Sequence, residues 1–202
     1  DGGAPTTTGA SAAQTLSFTH EDVEGGLYYW AADSGGVFRY DFGRRGQSAE
    51  AYYTAAQAGG GFCVGCHSLS RNGTRIAVGL NIPAPSELRV LDVATRAVLW
   101  TGTANFMSFS PDTRELVTSD GNSLVLHDGA TGAVLVDPLD AAGAMPDFAP
   151  DGQSIVFARP AMPIWCPIPG FCGNPGVDRA GLRILRRSAA GWDPSTSLGD
   201  FD

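Results

Sequence analysis

No apolar run in this sequence approaches the ~18 residues that a membrane-crossing helix requires. Long patterns of helical period are missing as well, which excludes a helical bundle. Charge is scarce: 17% of the 202 residues are charged, and the net charge is −8. That acidity speaks against a nucleic-acid surface and against a polybasic membrane patch, while it suits a cationic protein partner. No Lys/Arg-headed apolar segment opens the chain, so a secretory leader is expected to have been removed. There is no phosphate-binding loop, no Ser/His/Asp set in motif context, and no paired-carboxylate signal beyond turn aspartates. What is plentiful is glycine (27), proline (13) and apolar residues (43%). This combination predicts many short strands joined by turns, with enough apolar surface for one sizeable core or a short repeat array.

The most specific stretch is Cys63-Val64-Gly65-Cys66-His67. Two cysteines two residues apart, followed at once by histidine, form the attachment signature of c-type haem. Each thiol adds across one vinyl group of the porphyrin, and the imidazole of the next residue becomes the proximal iron ligand. Val64 and Gly65 are small enough to let the backbone turn against the ring edge. The rival readings are a disulfide, a redox dithiol and half of a zinc site. A structural zinc usually takes four protein ligands, and the remaining cysteines, Cys166 and Cys172, form no matching pair. No thioredoxin-like βαβ context surrounds the motif either. The expected cofactor is therefore one covalently attached haem c, on Cys63, Cys66 and His67. Covalent haem attachment takes place outside the cytoplasm, so a periplasmic or cell-surface location follows.

The chain also repeats itself. His67-Ser-Leu-Ser-Arg-Asn72-Gly73, Met107-Ser-Phe-Ser-Pro-Asp112-Thr113 and Pro146-Asp-Phe-Ala-Pro-Asp151-Gly152 overlay, with their turn residues 40 and then 39 positions apart. After each turn comes a β-rich run (75–78, 115–118, 154–157) and then a second one (88–91, 123–126, 182–185). A unit of ~40 residues with four antiparallel strands is the mark of a β-propeller blade. Upstream, 26–30 and 36–40 look like the middle strands of an earlier blade, with 51–54 as its outer strand. Three blades and most of a fourth are visible, so the ring is expected to be completed by further chain or by a partner. A β-sandwich of the same strands is the structural alternative. Residues 1–14 are rich in Gly, Ala, Thr and Ser and read as a flexible tether; 15–202 form the blades. The sequon Asn72-Gly-Thr74 is explained by the blade turn.

The Phe-Ser-Pro-Asp and Phe-Ala-Pro-Asp-Gly turns, Phe109 to Asp112 and Phe148 to Gly152, resemble the TolB-type propeller repeat over roughly residues 27 to 200. That resemblance implies that each such turn closes the innermost strand of a blade. His67 then shares a repeat position with Met107, and Met145 stands one residue earlier, at the position of Cys66 and Phe106. All three begin inner strands, which puts the haem in or over the mouth of the central channel. By strand alternation His67 and Met107 point toward one neighbouring blade and Met145 toward the other. Met145 is the expected sixth iron ligand, facing back toward His67, and Met107 is the alternative. TolB-like relatives with the haem signature often carry His-Pro-Asp where this chain has Met145-Pro146-Asp147, which supports that choice. His127, expected to be outward and solvated, His20 and Met162 are weaker candidates. Both methionines are also ordinary gap-fillers of apolar cores. The tether resembles the segment after the lipidated cysteine of bacterial lipoproteins and so implies a lipid anchor upstream, although no such cysteine stands in the chain.

Three functions remain open on these residues: a monohaem cytochrome transferring electrons to redox protein partners, a propeller subunit for binding or assembly whose haem is structural, and an enzyme subunit whose haem feeds a site on another chain. Electron transfer is the primary reading, and catalysis is secondary. The third unit carries an insertion from 159 to 179, where Cys166 and Cys172 flank a proline-rich turn. In an oxidising compartment they are expected to form a disulfide that staples this loop. Peptide mapping of unreduced protein should recover the two cysteines joined; recovery of both as alkylated thiols from native protein would refute the staple.

Overall fold

The computed structural model describes residues 25–44, 46–60, 64–80, 87–160 and 180–200. They form an all-β chain of antiparallel sheets, with one short 3₁₀ turn at Ala32–Ser34. The first sheet runs β1 (Gly26–Ala31), β2 (Gly36–Asp41), β3 (Glu50–Thr54). The second is β4 (Val64–Leu69), β5 (Arg75–Leu80), β6 (Glu87–Asp92), β7 (Val98–Thr103). The third is β8 (Phe106–Phe109), β9 (Glu115–Ser119), β10 (Leu124–Asp128), β11 (Val134–Asp140). In the fourth, β12 (Ala144–Phe148) and β13 (Ser154–Pro160) are followed by β14 (Ala180–Ser188), against which β15 (Gly191–Trp192) and β16 (Thr196–Asp200) both pair. The expected strands are thus present, grouped as four sheets rather than the two of a sandwich. Among the described residues no helix is long and apolar enough to cross a membrane.

The sheets stack face to face because their central strands are apolar on both sides. Along β5 the face alternates: Ile76, Val78 and Leu80 join Val37, Tyr52 and Tyr53 of the first sheet, whereas Ala77 joins Met107, Phe109 and Leu116 of the third. A third seam packs Val117, Leu124 and Leu126 against Phe148, Ile155 and Phe157. Aromatic side chains fill the seams. Tyr28 meets Tyr52 edge-on at 4.9 Å, and the Tyr52 hydroxyl donates to the Val93 carbonyl. Trp30 departs from that pattern and is half exposed.

One turn is used three times. Ser70, Ser110 and Ala149 each donate a backbone N–H to the carbonyl of the residue that opens the next strand, at 2.9 Å in every case. Asn72 and Asp112 carry the turn's polar side chain. Each accepts from the serine hydroxyl two residues before it and from the backbone N–H two residues after it, which is the Asx geometry that selects these residues. The Ser110 hydroxyl, more than the Arg114 N–H and guanidinium, holds Asp112 below the usual carboxylate range. Asp92 and Asp128 do the same job at the turns to the outer strands, and bonds from Thr95 and Thr131 lower them too.

The residue after the turn aspartate or asparagine is left-handed in all three copies: Gly73 at φ 69°, Gly152 at φ 70°, and Thr113 at φ 67°. A β-branched residue is strained there. Thr113 is also buried, and its hydroxyl finds no partner among the described residues. Thr113→Gly should therefore stabilise the fold by about 1 kcal/mol, because relief of strain and of an unpaired hydroxyl exceeds the added chain entropy. The midpoint of urea unfolding measures it; a lower midpoint would show that Thr113 is not strained.

Candidate functional site

The haem signature enters the first strand of the second sheet. Cys63 lies outside the described residues, as do His20, Met162, Cys166 and Cys172. Within β4 the ladder pairs Val64 with Leu80 and His67 with Val78, so Gly65 and Cys66 together face Gly79 in a β-bulge. Residues paired across a ladder share a face. His67 therefore lies on the face of Val78 and Leu80, against the first sheet, where its Nε2 is 3.3 Å from the Tyr28 carbonyl and donates to it. Cys66 leaves the strand on the other face. A Cβ built on Gly79 would stand 3.8 Å from the Cys66 Cβ and 4.0 Å from Met107 Cε. Cys66 is exposed and Met107 is buried.

This divergence bears on the cofactor. On that face Gly79 and Met107 are buried, and Cys66 reaches the surface beside them. His67 lies on the opposite face of β4 from Cys66, so a ring bonded at Cys66 and ligated by His67 would require β4 to rearrange at the motif as well as the imidazole to leave the Tyr28 carbonyl. Tyr28 itself is held above the usual phenol range, chiefly by burial, and Tyr52 is pushed up to about 12 by the same cause. Among the described residues no three His, Cys, Asp or Glu side chains stand close enough to hold a metal ion.

The methionines divide differently from the expectation. Met107 sits where expected, on the face of β8 toward the haem-motif sheet, in the cluster with Ala77, Leu88 and Trp100. Met145 is 46% exposed, and β8 lies between its strand and β4. The reason is local: Met145 is left-handed (φ 51°), and with Pro146 it bulges opposite Phe157, between the pairs Ala144–Ala158 and Asp147–Val156. The simple alternation that pointed it back toward His67 is broken there. Met107 is the methionine beside the motif. His127 is likewise not a free surface residue: it is half-buried. It stacks on Trp100 at 5.7 Å, its Nδ1 donates to the Gly132 carbonyl, and its Nε2 meets the Thr118 hydroxyl at 3.0 Å. It is a seam residue with both nitrogens engaged.

Two larger clefts, of about 310 and 300 Å³, lie at the opposite end of the inner strands, between successive blade turns. Their charged groups already serve the fold: Asp112 caps its own turn, Asp151 accepts from the Gln153 N–H, and Glu115 pairs with Arg187. Gly79 and Tyr28 are the site residues that motif reading passes over. The repeat overlay held the signal for Gly79, because the equivalent residues of the other two units are Ser119 and Ala158.

No family model matches the chain, and no curated protein matches it. Among solved structures it is similar to the tricorn protease, at 15% identity and a TM-score of 0.52, over 88% of this chain and 20% of that one. It is similar also to a putative TolB from Agrobacterium tumefaciens, at 12% identity and 0.52, over 82% of this chain and 56% of that one. A chain of a nidogen/laminin complex matches at 9% identity and 0.55, over 87% and 61%. These likenesses are of fold. The chain is an all-β protein with the four-stranded antiparallel sheets of β-propellers, TolB among them. It spans from a fifth to about three fifths of those neighbours' lengths.

The placement of the methionines has a direct energetic consequence. Met107→Ala should cost about 2–5 kcal/mol, as a cavity in a closed seam does, whereas Met145→Ala should stay within about 0.5 kcal/mol of wild type. Equal losses in chemical denaturation would mean that Met145 is buried too.

Proposed function

We propose that this chain is the haem-bearing part of an extracytoplasmic c-type cytochrome built on a propeller scaffold, and that it works in electron transfer. The observation that carries the reading is the five-residue signature, whose described residues open β4 and leave Cys66 exposed beside Gly79 and Met107. Cys63 and Cys66 would hold the group through thioethers and His67 would ligate its iron; haem so bound supplies reversible one-electron chemistry. The rest falls to this chain's own residues. The His67 Nε2 must lose its proton and give up the Tyr28 carbonyl to become a ligand. That carbonyl then needs another donor or solvent. Among the described residues Met107 is the thioether nearer to Cys66, and it takes precedence over Met145 as sixth ligand. The periplasm or the cell surface is the compartment in which such a protein matures, with redox proteins as partners and a lipid anchor upstream of the tether.

A second reading, a propeller subunit for binding or assembly, has one observation in its favour. The outer strands β7 and β11 leave Val98, Leu99, Val134, Leu135 and Val136 exposed, and edge strands of this kind recruit partners. In that case the haem is structural, or relays electrons to another subunit.

Expression in a host that matures cytochromes c tests the primary reading. Intact mass should show one haem added per chain, resistant to acidified organic extraction; a bare chain would overturn it. The oxidised protein should show a weak methionine–iron band toward the red, which the volume-conserving Met107→Leu abolishes and Met145→Leu leaves in place. Loss of the band in the Met145 variant alone would return the role to that residue, and a bis-histidine spectrum would exclude both.

A further inference from the structure

The first sheet has three strands where the second and third have four, and the hydrogen bonds show which one it lacks. From β7, the outermost strand of the second sheet, the Trp100 indole N–H donates to the Gly129 carbonyl. One repeat earlier, the Tyr52 hydroxyl of β3 donates to the Val93 carbonyl. Val93 and Gly129 are equivalent residues. Each follows a turn aspartate, and each donates its own N–H to the carbonyl four residues beyond the serine of its blade turn, Thr74 or Arg114. β3 therefore stands where β7 does, at the rim. β2 and β1 are then the third and second strands, and no described residue fills the innermost place. Among the described residues β1 pairs on one side only, with β2. An edge of this kind carries a row of backbone groups that need a partner.

The inner strands of the other three sheets end alike, in His67-Ser68-Leu69-Ser70, Met107-Ser108-Phe109-Ser110 and Pro146-Asp147-Phe148-Ala149. Leu16-Ser17-Phe18-Thr19, ahead of β1, has the same form, with a large apolar residue in third place between small or polar ones. In all three described copies the fourth residue donates its N–H to the strand that follows, at 2.9 Å. The register makes the second residue the other donor and turns the N–H of the first and third away. Side chains alternate with the same period. Phe109 packs toward the preceding sheet, in the cluster of Leu88 and Trp100, whereas the Ser108 hydroxyl donates to Asp147 of the following one.

We infer that residues 15–19 supply the missing inner strand of the first sheet, antiparallel to β1, with the N–H groups of Ser17 and Thr19 in the ladder. These residues lie outside the described part of the chain; what ends inside it is the open edge they fit. Residues 20–25 leave a connection of ordinary length to β1. Ser17 then comes beside Ser68 as Ser108 does beside Asp147, and Leu16 and Phe18 join Leu27 on the face turned away from the second sheet. The inference is independent of the haem reading. It assigns the edge of β1 to the chain itself rather than to a partner's strand.

Residue-resolved amide exchange on the full chain tests it. Ser17 and Thr19 should exchange about a hundredfold or more slowly than in a free peptide of the same sequence, with Leu16 and Phe18 faster than both. Ser17→Pro removes a ladder donor. It should return Thr19 to fast exchange and speed the outward amides of β1, while β2 and β3 keep their protection. Ser17→Ala keeps the N–H and should leave the pattern as in wild type. Exchange of 15–19 at the free-peptide rate overturns the inference, and a protected edge of β1 would then mark a strand from elsewhere. Protection of 15–19 with β1 indifferent to Ser17→Pro overturns it too, since the segment is then docked in another place. Should Ser17→Pro unfold the chain, the wild-type pattern decides: protection alternating at 17 and 19 supports the strand, and uniform protection or none refutes it.

Discussion

A four-stranded sheet whose central strand is apolar on both faces cannot stand in water, and everything else in this molecule follows from that constraint. β5 shows it in five consecutive buried residues, Ile76 to Leu80. Two such faces need two neighbours, so each sheet is a partner to the one before and the one after. Strand alternation then assigns every side chain to a particular seam. His67 and Cys66 are adjacent in sequence, yet His67 belongs to the seam with the first sheet, and Cys66 to the opening toward the third. The bulge does not relieve this separation; it sets it, by placing Gly65 and Cys66 together opposite one residue.

Several arginines are arranged to protect these seams. Arg75 crosses from one turn to the next and donates to the Thr113 carbonyl. Arg89 ties the second sheet to the first through the Tyr53 hydroxyl and the Ala58 carbonyl. Arg187 pairs with Glu115 and lies 4.4 Å over the ring of Trp192. A guanidinium group suits this duty because its several donors can serve more than one acceptor at a boundary, as Arg89 does with Glu87, Tyr53 and Ala58.

Much of this was legible in the residues, for reasons that differ from element to element. The blade turns could be read because an Asx turn followed by a left-handed residue admits few amino acids, so Asn72, Asp112 and Asp151 recur on schedule. The strands could be read because each turn resets their start. His127 was misjudged because alternation assigns a residue to a face but does not say what covers that face; the cover, Trp100, comes from the preceding unit. The direction of Met145 could not be read because a left-handed residue before proline interrupts alternation, and only the register shows that bulge. Cys63, Cys166 and Cys172 fall outside the described residues, so their pairing and chemistry rest on sequence logic alone.

The seam between the second and third sheets holds one further consequence. Gly132 is left-handed and lies so close to Trp100 that a Cβ there would stand 2.5 Å from the indole, while His127 covers the ring and the indole N–H donates to the Gly129 carbonyl. The indole is thus enclosed by a turn belonging to the next repeat. Trp30, half exposed on the first sheet, has no comparable enclosure. Separation of these two sheets would admit water to Trp100 while leaving Trp30 as it was. The environment of Trp100 alone thus gauges the parting of these two repeats, provided the signal of Trp30, Trp165 and Trp192 is removed by substitution.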